Sequence, residues 1–404
     1  MENIDTTHTN TNYFKTEKKK KMKKINLAAV LLFLLGITVT SCNPKGCTDS
    51  ACSNYDAEAV EDDGSCICDT IDSTEVSYEI PSTYSFENVS YSGQTTRINM
   101  LKEMVSYLKK ANTPGVTIDS DTLKMMFGNT ADVWSDSDLN GATKDIKSKT
   151  YVGAIAEFEG YLDSAAAISG NSALVLYSAD SSKNYIMNSN GFEYTQLFEK
   201  GLFGAFLFHQ IAGSYLTEDK IGNSVDNSSV TEGKGTAMEH HWDEAFGYLG
   251  VPVDFPSNTS DLYGIGKYSN AKADALLGTN ATLMNAFIKG RAAISNKDYT
   301  TRDEQVTIII PAIEQALAAS AINYCNSAKS NILDAALRNH ALSEAIGFIR
   351  SLKYSSNSTI SSAQIDEITG FFGDNLNEIT VSQIDQARDA ISTIYGLDTH
   401  KNDL

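Results

Sequence analysis

The sequence predicts a mostly α protein: two related helical bundles, preceded by a short β segment and a Cys-rich tether. Three observations predict it. Apolar residues recur at helical spacing from Ile98 almost to the C-terminus. A motif His-x-x-x-Glu-Ala-apolar-Gly occurs twice. Five of the six cysteines crowd between Cys42 and Cys68.

The elements follow in chain order. Residues 1–41 read as a signal region whose true start is Met22. Lys23 and Lys24 precede a short apolar run, 25–35, and then Val39-Thr40-Ser41-Cys42. The run falls short of the about 20 apolar residues that a membrane span needs. A cysteine after small residues marks lipidation at Cys42 and a membrane tether through lipid. Resemblance to Gram-negative lipoproteins implies that Asn43 directs the protein to the outer membrane, on its periplasmic or surface face.

Residues 42–69 form the lipidated, acidic, Cys-rich tether. Cys47, Cys52, Cys66 and Cys68 are an even set in an exported chain, which favours disulfides over metal. Three pairings are open to them. Asp49, Asn54, Asp62 and Asp63 offer oxygen ligands for calcium, although an acidic spacer stapled by disulfides accounts for the same residues. The stretch resembles a Cys-bearing repeat of Gram-negative surface proteins.

Residues 70–260 are expected to form the first bundle, opening on an extended segment. In it Tyr78, Ile80, Tyr84, Phe86, Val89 and Tyr91 alternate with polar residues. Helices are expected over 95–110, 120–127, 150–169, 193–217 and 236–249. Residues 261–404 are expected to form the second bundle, with helices over 270–294, 303–329, 331–353, 362–372 and 381–395. No second membrane segment is expected. Cys325 lies on a helical pattern and reads as a small buried apolar residue.

The repeat motif carries the candidate chemistry. Its first copy runs from His240 to Leu249 and its second from His340 to Ile349. The preceding segments also match: Glu199-Lys200-Gly201-Leu202 with Gly204-Ala205 parallels Glu314-Gln315-Ala316-Leu317 with Ala319-Ser320. A shared Gly or Ala lets helices approach closely, and the spacing suggests duplicated bundles. His240 and His241 lie four and three residues before Glu244, so both share a helix side with it. With Asp243, and with His209 approaching from another helix, these residues form a candidate site for iron or zinc. His340 and Glu344 are the second-repeat equivalents and read as a structural pair. No Ser-His-Asp motif, phosphate loop, Gly-x-Gly-x-x-Gly or Cys-x-x-Cys-His is present. A net charge of −19 argues against nucleic acid and anionic lipid as partners.

Tyr84-Ser85-Phe86, Tyr91-Ser92-Gly93-Gln94-Thr95, Asn190-Gly191-Phe192-Glu193-Tyr194 and Met238–Tyr248 resemble the family DUF4856 over about 78–400. In outline the chain is also similar to imelysin-like proteins, whose His-x-x-Glu motif falls on His241 and Glu244. Glu239 stands where that motif has glycine. The imelysin resemblance implies iron uptake or peptidase activity. The sequence therefore reads as a surface lipoprotein that binds a ligand for uptake, iron or another metal, rather than as an enzyme. A metal-dependent peptidase and a non-catalytic module beside an outer-membrane transporter are the competing readings.

Overall fold

The structure, a computed structural model, describes residues 44–48, 50, 52, 54–66, 78–355 and 358–404. The signal region, Cys42, Asp49 and Cys68 lie outside the described residues. The chain divides into two compact units, Met1–Glu75 and Val76–Leu404.

In the first unit Lys45–Gly46 pairs in parallel with Glu61–Asp62. Cys47 is disulfide-bonded to Cys66, and Cys52 is disulfide-bonded as well. The sulfurs of Cys47, Cys52 and Cys66 lie close together; their oxidation leaves no thiolate among them to ligate a metal. Two of the carboxylates considered for calcium, Asp62 and Asp63, serve their own loop. Asp62 accepts from the Gly64 amide and Asp63 from the Ser65 amide, each at 2.9 Å. The Asn54 amide donates to the Ser65 carbonyl at 2.6 Å. Hydrogen bonds from Ser65 hold the Asp63 carboxyl below the usual carboxylate range.

The second unit is helical, and its helices match the expected ones closely: Ser92–Lys109, Ser120–Gly128, Ile155–Ile168, Ala237–Gly247, Thr279–Ser295, Tyr299–Ser330, Ala335–Ser351, Ser362–Gly370 and Val381–Ile394. Local chemistry fixes the starts. Thr236 and Glu239 form a reciprocal capping box before the His240 helix. Asp334 caps the His340 helix through the Leu337 amide. The expected helix over 193–217 is α-helical over Tyr194–Leu202 and π-helical over Phe203–Phe208 and Ile211–Tyr215.

Tyr299–Ser330 has the length and apolarity of a membrane span. It is the central core helix, with Thr279–Ser295 and Ala335–Ser351 packed along it. Tyr194–Leu202 also packs on Ala335–Ser351. Contacts therefore run across 260/261, the boundary expected between the two bundles, and Val76–Leu404 is one compact unit.

The segment 78–91, expected to be extended, contains no strand. Side chains hold it instead. Tyr84 stacks on Phe246 with ring centroids 3.7 Å apart, and its hydroxyl donates to Asp243 at 2.7 Å. The alternation of aromatics here reflects docking into a helical core rather than a ladder. A hairpin, Val175–Tyr177 with Asn184–Ile186, was not foreseen.

Candidate functional site

The Ala237–Gly247 helix sends its candidate ligands in different directions, because successive residues on an α-helix diverge by about 100°. Asp243 points into the core. It accepts from Arg291 Nε at 2.9 Å and from the Tyr84 hydroxyl, and burial pushes its carboxyl up to about 6 against the pull of Arg291. His241 Nδ1 lies 2.6 Å from the Lys220 carbonyl oxygen, tying the helix to the turn beneath it. His209 is elsewhere. It lines a separate cleft with Tyr151, Gly213 and Tyr354, and its ring meets Tyr151 edge-on at 5.2 Å. Only His240 and Glu244 remain together, with His240 Nε2 3.9 Å from Glu244 Oε2. The five side chains considered for metal do not converge.

Glu244 and His240 instead face a pit of about 240 Å³ built with the start of the Ser92–Lys109 helix. Gln94, on that helix, donates to Glu244 Oε1 at 2.9 Å. Gly247 makes the approach possible, since a Cβ there would lie 2.6 Å from Tyr91 Cβ and 3.0 Å from Gln94 Cβ. Four cations line the same pit: Arg97, Lys144, Lys149 and Lys234. Among the described residues none of them is ion-paired to a carboxylate. Arg97 is oriented by donating to the carbonyls of Asp145 at 2.8 Å and Gly93 at 3.2 Å. Burial, and then the neighbouring Arg97 charge, lower the Lys149 pKa. Burial lowers the His240 pKa against the attraction of Glu244. The first turn of the Ser92–Lys109 helix also opens into the pit. It has no side-chain cap and no acidic residue of its own.

The second copy of the motif builds a second pit, of about 270 Å³. A Cβ on Gly347 would lie 2.6 Å from Lys200 Cβ, so the His340 helix and the Tyr194–Leu202 helix touch there. Lys200, buried, takes the place that Gln94 has in the first pit. Its ammonium lies 3.4 Å from Glu344 and 2.7 Å from Glu199. His340 Nδ1 donates to Glu193 at 2.6 Å, its Nε2 lies 3.4 Å from Glu344, and the Tyr185 ring stacks on it at 4.0 Å. Burial opposes the charged imidazole, but Glu193 and Glu344 together outweigh it and hold the His340 pKa above its ordinary value.

In each copy the motif glycine admits a facing helix, but the helices that pack around the two copies differ. Tyr194–Leu202, matched in sequence to the helix preceding the second motif, packs on the second motif itself. The first motif helix meets Ser92–Lys109 at Gly247 and packs also on Ile211–Tyr215 and Thr279–Ser295. Motif reasoning on His and Glu missed Gln94, Arg97, Lys149, Glu193 and Lys200. A signal for some of them existed: the family-like stretches around Tyr91–Thr95, around Glu193 and around His240 are the ones that meet at the two pits.

No curated protein and no solved structure matches the chain. The family described as a domain of unknown function, DUF4856, matches residues 81–155 and 159–397, and the chain belongs to that family.

Proposed function

We propose that the chain is a cell-envelope lipoprotein that captures a small anionic solute in the pit formed by the His240 helix and the Ser92–Lys109 helix. One observation carries this reading. Arg97, Lys144, Lys149 and Lys234 converge on an uncapped helix start, in a chain of net charge −19, and Glu244 is the one carboxylate lining the pit. Composition alone would surround a random surface pit with acidic groups. Helix amides and cations together suit a carboxylate or phosphate group. They disfavour a bare divalent cation, which would meet four positive charges and only His240 and Glu244 as ligands.

The test is a thermal-melt and calorimetry panel on the full chain with phosphate, with a small dicarboxylate and with iron or zinc. A solute at a hundredfold excess over its dissociation constant stabilises by about 2.7 kcal/mol. Stabilisation by an anion, weakened in Lys149→Ala, is the expected outcome. Stabilisation by iron or zinc alone, abolished in Glu244→Gln, would restore the metal-uptake reading; peptide cleavage would favour the peptidase, and silence throughout the interaction module. Anchoring at Cys42 is checked by the mass of the membrane-extracted protein, which should carry lipid on the peptide that begins at Cys42; an unmodified Cys42 would contradict it.

A further inference from the structure

We infer that the second pit is a separate binding site for a small primary ammonium group. The observation behind this is Gln196. It lines the pit, is 2% exposed, and its Oε1 has no donor among the described residues. The amide orientation is fixed, because Nε2 donates to Glu193 Oε1 at 3.1 Å and a flipped amide would set its oxygen against a carboxylate. Glu193 cannot turn to relieve the vacancy, since its other oxygen is held by His340 at 2.6 Å. A buried amide oxygen without a donor is costly, and a ligand donor is the natural complement.

The charges of the pit specify that donor. Of its charged groups Glu193, Glu199, Glu344 and Lys200 are buried, whereas His340 is half-buried beside Glu193, so carboxylates predominate in the buried part of the pit. A ligand ammonium supplies positive charge among these carboxylates and an N–H for Gln196 Oε1. Lys109 and Lys267 line the mouth and are exposed, so the mouth can also accept the carboxylate of a zwitterion. The ammonium is the shared chemistry of a simple amine and of an amino acid.

The full chain is titrated calorimetrically with methylammonium, glycine and tetramethylammonium, the last carrying the charge without an N–H. Saturable binding of methylammonium or glycine, and none of tetramethylammonium, is expected. Gln196→Met should weaken it about tenfold or more, and Glu244→Gln in the first pit should leave it unchanged. Glycine binding that Lys267→Ala weakens identifies the zwitterion; methylammonium binding indifferent to Lys267→Ala identifies the simple amine. In the wild type the ligand should shift the imidazole resonances of His340 and not those of His240. No binding at millimolar ligand, equal binding of tetramethylammonium, undiminished binding in Gln196→Met, or an unmoved His340 would each overturn the site.

Discussion

In the Ala237–Gly247 helix Glu244 accepts a hydrogen bond from a neutral amide, Gln94; in the Ala335–Ser351 helix Glu344 faces an ammonium, Lys200. Both helices use a glycine three residues after the glutamate to let that partner close in. The packing device is the same and the electrostatics differ. A neutral partner leaves the first pit to the cations on its walls, which form no ion pair with a carboxylate among the described residues. A buried lysine fills the second with an ion network of Glu193, His340, Glu344, Lys200 and Glu199. One motif on one kind of helix pair can therefore frame a pit walled by cations or one lined by an ion network, and the residue facing the glutamate decides which.

Breaking the closed network should have the largest effect. Lys200→Met keeps length but leaves Glu199 and Glu344 buried without their cation. A loss of about 3–5 kcal/mol is expected in denaturant unfolding. Gln94→Met in the first pit removes a neutral donor and should cost only about 1 kcal/mol. Equal losses at the two positions would end the distinction between the pits. Glu199→Gln added to Lys200→Met should recover part of the loss, because it removes one of the stranded charges.

The shared device predicts a smaller and matched effect. Gly247→Ala and Gly347→Ala each insert a Cβ within 2.6 Å of a facing Cβ. Each should destabilise by about 1–3 kcal/mol through overpacking. A neutral result at either glycine would show that the two helix pairs are not built alike.

Much of the fold was legible in the sequence because helical periodicity survives in a core of this kind. Ile98, Leu101, Met104, Val105 and Leu108 are all buried on one helix, as their spacing predicts. The segment 78–91 was misread because Tyr84 and Phe86 alternate for docking, and docking aromatics mimic strand periodicity. The site was legible only in part. Glu244 and its hydrogen-bond partner Gln94 are 150 residues apart, and no local pattern says which helices meet. Lys144 and Lys234 lie between helices, and Lys149 ends a single 3-10 turn, Lys147–Lys149, too short to show periodicity. The segment that carries His209 does pack on the His240 helix, through Ile211–Tyr215, but His209 itself faces the cleft with Tyr151 and Tyr354, and no spacing rule gives the direction of a side chain between two π-helical stretches.

The most direct test of the first pit is the titration of lysine side chains by NMR, with and without phosphate, assigned by Lys149→Arg and Lys200→Arg. Lys149 is lowered by burial and by Arg97, so it should release its proton below the ordinary lysine range. Bound phosphate should move it upward, because an adjacent anion favours the charged form. Lys200, held by Glu199 and Glu344, should stay protonated well above the ordinary range and ignore phosphate. A Lys149 that titrates at the ordinary value and does not respond to phosphate would contradict the anion site.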